Sequence, residues 1–201
     1  PSTFARGAKK YVVDVDEGLL QRKFQQVPFD VNIGCDAWLF CATLRHELGD
    51  EKTPDFSAWM QRVIEWRDKY DPVRPEFFEQ EVIHPYAFIR TLSQKMGPTD
   101  VLVADTGGNI VVCNHAFETK WGQRYITNNG NSPMGFSMCG AMGAWFADPS
   151  RQVVCVIGDG GFQMNIQELQ TIKYNRMPIK IVIINNKIYG LTKQYQETNF
   201  E

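Results

Sequence analysis

The sequence predicts an α/β protein: a doubly wound parallel sheet, truncated, with a remnant of a second α/β domain beside it. Three observations carry this. Val153-Val154-Cys155-Val156-Ile157 and Ile179-Lys180-Ile181-Val182-Ile183-Ile184 are short apolar runs of β type. Between them lies one amphipathic stretch, read as a helix over about 163–174, with Phe162, Ile166, Leu169 and Ile172 on one stripe. Before them, Val101-Leu102-Val103-Ala104 reads as a buried strand between two further helical patterns.

Taken in order, residues 9–17 form a short strand ending in acids, and Val31-Asn32-Ile33 a second. Residues 36–48 have helical apolar spacing, with Asp36 as N-cap. Residues 1–48 therefore read as the C-terminal part of a central α/β domain, too small to bury a core without neighbours. Residues 49–80 are charged and contain Pro54, Pro72 and Pro75. This stretch reads as an interdomain linker whose helix, over 56–70, packs by the stripe Trp59, Val63 and Trp66.

Residues 81–201 read as the main domain, its C-terminal end missing. His84-Pro85 opens a helix with Tyr86, Ile89 and Leu92 on one face. The strand 101–104 runs into Asp105-Thr106-Gly107-Gly108-Asn109. Tyr125-Ile126-Thr127 leads to Asn128-Asn129-Gly130-Asn131-Ser132-Pro133-Met134, and a helix rich in Gly, Ala and Ser follows. The start at Pro1 and the stop at Glu201, soon after the last strand, lead us to expect a piece of a larger enzyme.

Composition sets outer limits. The chain has 201 residues, 43% apolar and 22% charged, with net charge −2, and so offers no electrostatic case for nucleic acid or an anionic membrane. It contains no run of eighteen apolar residues. The five cysteines (Cys35, Cys41, Cys113, Cys139, Cys155) lack zinc spacing and read as buried reduced thiols of a cytoplasmic protein.

The chemistry concentrates where the two apolar runs end. The first runs into Gly158-Asp159-Gly160, the second into Asn185-Asn186. A lone Gly-Asp-Gly is a common turn. Two such ends joined by a helix bring a carboxylate and an amide oxygen to the carboxyl edge of a parallel sheet, where open sheets bind ligands. Mg²⁺ accepts hard oxygens and keeps phosphate oxygens and water among its ligands. Asp159, Asn186 and the carbonyl at Ile188 make three protein ligands. Gly160 and Gly161 remove side chains where a phosphate approaches the backbone, and their N–H groups face the anion.

At these residues the chain resembles the thiamin diphosphate enzymes, in which a Gly-Asp-Gly is followed some twenty-odd residues on by Asn-Asn. Pro133-Met134-Gly135 resembles the family segment whose apolar residue, here Met134, wedges between the cofactor rings and enforces a bent shape. Asp105-Thr106-Gly107-Gly108-Asn109 resembles the earlier diphosphate loop. The resemblance covers nearly the whole chain and is closest to the acetolactate synthase group. It implies cofactor contacts from Thr106, Gly107, Gly108, Asn109, Ser132, Met134, Gly158, Asp159, Gly160, Gly161, Asn186, Ile188, Tyr189, Gly190 and Leu191, with Mg²⁺ on Asp159, Asn186 and Ile188. It also implies a 2-oxoacid substrate, decarboxylation with the cofactor as electron sink, and a homodimer or homotetramer of the full-length enzyme. The activating Glu comes from the N-terminal domain of a partner subunit, so no residue of this chain is assigned a catalytic role. FAD is a further cofactor that some relatives carry. Asp14 and Asp16 lie where those relatives touch it, or are solvated strand-end acids.

Three departures bear on substrate. The acetolactate synthase group usually has Gln-His where this chain has Gly108-Asn109, Gln where it has Tyr189, and Trp where it has Tyr195. They leave open another decarboxylase, an aldehyde lyase, or a non-catalytic diphosphate-binding module. Tyr189, Leu191 and Tyr195 read as a loop that closes over substrate. His46, His84 and His115 have no carboxylate partner at motif spacing and read as structural or surface residues. Asn128-Asn129 lacks a suitable strand before it and is a decoy.

Overall fold

The computed structural model describes residues 3–21, 27, 29–49 and 54–200. They form two compact units that divide between Arg62 and Val63, inside the stretch read as linker.

The first unit opens with β1 (Tyr11–Asp14), α1 (Glu17–Leu20), β2 (Val31–Gly34) and α2 (Ala37–Leu48). The strands pair in parallel, Tyr11 opposite Val31 and Asp14 opposite Gly34. Both helices start on an aspartate: Asp16 accepts from Gly18 N and Leu19 N, and Asp36 from Trp38 N and Leu39 N. Asp14 in turn accepts from Asp16 N at 2.8 Å, so both acids serve the turn into α1. No described residue of this unit is buried. Helix α3 (Ser57–Lys69) crosses the division. Its stripe residues Trp59, Val63 and Trp66 are all exposed.

The second unit continues through a 3-10 turn (Pro75–Phe78), α4 (Pro85–Lys95), β3 (Val101–Ala104), α5 (Gly108–Ala116), β4 (Arg124–Ile126), α6 (Phe136–Ala147), β5 (Val153–Gly158), α7 (Asp159–Met164), α8 (Glu168–Tyr174), β6 (Lys180–Ile184) and α9 (Gly190–Asn199). Its four strands are all parallel, in the order β4-β3-β5-β6. The chain leaves β3 in one direction and β5 in the other. Crossovers of one hand then put their helices on opposite faces. Accordingly Leu102, Ala104, Val154 and Val156 pack with Ile89 and Met96 and with Cys113 and Ala116 of α5. Val101, Val103, Val153, Cys155 and Ile157 pack with Met138 and Ala141 of α6, Phe162 of α7 and Ile172 of α8. The sheet is doubly wound, and the neighbouring carboxyl ends of β3 and β5 form its switch point.

Three local readings are corrected. The helix expected over 163–174 is two helices, α7 and α8, broken at Asn165. Asn165 leaves helical geometry and its side-chain amide donates to Gly135 O at 3.0 Å, so a tertiary bond outweighs helical continuity. Of the stripe, Phe162 and Ile172 reach the core whereas Ile166 and Leu169 stay exposed. Second, α9 is a ten-residue helix where a closing loop was expected, with Lys193 and Glu197 paired across one turn at 3.4 Å. Third, the cysteines are all free, as read, but Cys41 and Cys139 are exposed and only Cys113 and Cys155 are buried. Helix α5 had no counterpart in the sequence reading. Its Ile110-Val111-Val112 run is β-branched, and burial of Cys113 and Ala116 overrides that propensity.

Candidate cofactor site

One cavity of about 400 Å³ opens at the switch point. Four segments build it, each ending a strand or starting a helix. From the end of β3 come Asp105, Thr106, Gly107, Gly108 and Asn109, and from the segment before α6 come Ser132 and Met134. The end of β5 contributes Gly158, Asp159, Gly160 and Gly161. The end of β6 contributes Ile184, Asn186, Ile188, Tyr189, Gly190, Leu191 and Thr192. Pro85 of α4 and Val112 of α5 complete the wall. All the residues assigned to the site from the sequence line this one cavity. The sequence reading did not assign Asp105, Pro85, Val112, Ile184 and Thr192 to it. Asp105 and Pro85 carried a signal, as the last residue before the first loop and the opening residue of α4. Asn128 and Asn129 do not line the cavity, and their backbone carbonyls accept from Ser132 Oγ at 3.0 and 3.4 Å.

The Gly-Asp-Gly is not a turn before a helix but the helix start itself. Gly158 is the N-cap of α7, and Asp159, Gly160 and Gly161 form its first turn, whose N–H groups have no intrahelical acceptor. The close approaches at these glycines come from the protein's own side chains. A Cβ on Gly158 would lie 2.8 Å from Asn109 Nδ2, one on Gly160 2.1 Å from Tyr189 Cε1, and one on Gly161 2.1 Å from Asp105 Oδ2. Each of these glycines is the contact point for a side chain from another wall.

Asp159 lines the cavity, and among the described residues its carboxylate has no hydrogen-bond partner. Across from it, two successive side chains shape the loop after β6. Asn185 Oδ1 accepts from Lys187 N and Asn186 Oδ1 from Ile188 N, both at 3.1 Å. Lys187, which follows them, takes a left-handed φ of 60°, which turns the chain toward α9. Among the described residues, no three His, Cys, Asp or Glu side chains are placed to hold a metal together. A cation here would draw on one carboxylate, amide and backbone oxygens and the ligand's own oxygens. That donor set fits a hard divalent ion such as Mg²⁺ and not a soft one.

The histidines lie outside the cavity lining. His84 caps α4 by accepting from Tyr86 N at 3.3 Å and stacks on Phe77 at 3.8 Å between ring centres. His115 pairs with the Tyr86 hydroxyl at 2.9 Å. Tyr195, unlike Tyr189 and Leu191, does not line the cavity and is exposed on α9.

Comparison with known families decides the ancestry. Residues 105–201 match the thiamine pyrophosphate enzyme family's C-terminal TPP binding domain, over the segment that builds most of the cavity. The chain belongs to the thiamine pyrophosphate enzymes. The chain is similar to an acetolactate synthase large subunit from Parasynechococcus marenigrum, 36% identical over 74% of this chain and 23% of the relative. It is likewise similar to a probable acetolactate synthase large subunit from Methanocaldococcus jannaschii, 30% identical over 96% of this chain and 33% of the relative. Acetolactate synthase 2 of Brassica napus is 30% identical over 96% of this chain and 30% of its own length. The chain thus spans between about a quarter and a third of these relatives. Among the described residues, no helix of this TPP enzyme chain is long and apolar enough to cross a membrane.

Proposed function

We propose that this chain is the cofactor-binding portion of a thiamin diphosphate- and Mg²⁺-dependent 2-oxoacid decarboxylase or carboligase. The reaction most like that of its relatives converts two pyruvate to 2-acetolactate and CO₂. The observation that carries this reading is that Asp159, whose carboxylate has no hydrogen-bond partner among the described residues, and Asn186 line one cavity at the switch point beside the first turn of α7.

Bound there, the cofactor would supply a carbanion for attack on the 2-oxoacid carbonyl and a sink for the electron pair released with CO₂. The residues of this chain bind and orient. Asp159, Asn186 and the Ile188 carbonyl would hold Mg²⁺, and the metal would hold the diphosphate. The first-turn N–H groups of α7, with those after Gly107 at the start of α5, would face the phosphate oxygens. Met134 would support the cofactor, and Tyr189 and Leu191 would border the substrate side. No carboxylate of this chain is given the proton-relay role, which we assign to a Glu on a partner subunit of a cytoplasmic homodimer or homotetramer. FAD binding would be read from the absorbance spectrum of the purified full-length protein.

Calorimetry on the full-length protein tests the reading. Thiamin diphosphate should bind only with Mg²⁺, and Asp159→Ala should abolish binding; metal-independent binding sinks the assignment. Turnover of a panel of 2-oxoacids then identifies the substrate, and Mg²⁺-dependent binding without turnover of any would favour a non-catalytic module.

A further inference from the structure

Asp105 is a carboxylate only 1% exposed at the switch point. Its backbone N–H donates to Val156 O at 2.9 Å, extending the β3–β5 ladder one step past the strand. Its side chain reaches the segment that enters α6. Oδ2 accepts from Gly135 N at 3.1 Å and Oδ1 from Ser137 N at 3.0 Å, both bonds buried. A buried charge is tolerable when it is fully hydrogen-bonded, and the start of a helix favours a negative one. The same carboxylate abuts α7, where a Cβ on Gly161 would come 2.1 Å from Oδ2.

The residue it grips follows Met134. Gly135 has φ 87° and no room for a side chain: a Cβ would meet Asn165 Nδ2 at 2.7 Å and Gly161 O at 3.1 Å. Asn165 binds the Gly135 carbonyl from its other side. Gly135 is therefore clamped by a carboxylate on its N–H and an amide on its carbonyl. The clamp leaves Met134 with its Cε 3.1 Å from the Cβ position of Gly160.

We infer that Asp105 is the positioning residue of this site: by holding the N–H groups of Gly135 and Ser137 it fixes the place of Met134 over the first turn of α7. Both oxygens are needed, one per N–H. The substitution Asp105→Asn replaces one of these acceptors with an amide nitrogen, which turns a donor toward one of the two N–H groups.

The experiment uses the full-length protein and its variants Asp105→Asn, Asp105→Ala, Met134→Ala and the double variant Asp105→Asn/Met134→Ala. The control is Asp36→Ala, which removes a similar helix-capping carboxylate far along the chain from the cavity. Amide hydrogen exchange without cofactor should speed up at Gly135 and Ser137 in Asp105→Asn. On the reading that the cavity takes thiamin diphosphate, its Kd with Mg²⁺ should rise by about tenfold to a hundredfold in Asp105→Asn. Asp105→Asn should add little once Met134 is Ala, because it acts through that side chain. The control should lose thermal stability and keep its Kd. Unchanged amide exchange overturns the inference. So does a variant that loses only thermal stability, or full additivity with Met134→Ala. A wild-type protein that binds no cofactor overturns the cofactor reading alone, since the exchange measurement needs none.

Discussion

The two units begin from the same ingredients, short parallel strands joined through helices, and reach different ends. In the first, β1 and β2 pair alone and no described residue is buried. In the second, all four residues of β3 and five of the six of β5 are buried. Strand sequence contributes, since Tyr11-Val12-Val13-Asp14 ends in a charge where Val101-Leu102-Val103-Ala104 is apolar throughout, yet Val12 and Val13, as apolar as Val101 and Val103, are only half-buried. What differs is the number of layers. A strand with neighbours on both edges and helices on both faces sheds water from every side chain, whereas a two-stranded pair cannot. The cavity needs that rigid layer, because its walls are strand ends and helix starts held at the switch point.

The sharpest way to break this comparison is to remove core volume from each unit. Leu102→Ala should cost about 2–5 kcal/mol, and Val13→Ala about 1 kcal/mol or less, read by amide exchange localised to each strand. Equal losses would show that the first unit is buried in the protein as it exists.

A smaller effect compares two lysines. Lys120 Nζ donates to the carbonyls of Ser93, Gln94 and Met96 at the end of α4, the first two at 2.9 and 3.1 Å. Lys10 Nζ has Ala8 O at 3.4 Å and Asp30 at 3.9 Å. Chemical denaturation should show Lys120→Ala losing about 2 kcal/mol and Lys10→Ala about 0.5 kcal/mol.

The gentlest test is thiol chemistry. Burial pushes the Cys113 thiol up to about 12 and the Cys155 thiol up to about 11, the latter opposed by its bond to Ser137. Each raised value means the folded state favours the neutral thiol. That contribution is whole below the unfolded value of about 8.5 and is lost as pH climbs toward the folded ones. Alkylation at pH ~9 should reach exposed Cys41 quickly and Cys113 and Cys155 about a hundredfold more slowly, as peptide mass spectrometry would show. Comparable rates would mean that the second unit opens as readily as the first.

Much of the site was legible in the chain because its motifs sit at strand ends. An apolar run followed by Gly-Asp-Gly, and another followed by Asn-Asn, already imply one edge of one sheet. Periodicity could not reveal α5, whose β-branched residues are helical for the sake of Cys113 and Ala116. Nor could it reveal the break at Asn165, made by a bond to Gly135 thirty residues earlier.

The sequence by itself determined the doubly wound class, the carboxyl-edge motifs and the family to which they belong. The first two are properties of apolar period and local spacing; the family rests on resemblance at the motif residues. Only the tertiary structure showed what crowds Gly158, Gly160 and Gly161, since the atoms nearest to a Cβ there belong to Asn109, Tyr189 and Asp105. It also decided that Asp105, one residue outside the assigned site, ties β3, β5 and the start of α6 together and abuts α7. A carboxylate's partners are chosen by which backbone N–H groups the fold brings within reach, and no local pattern records that.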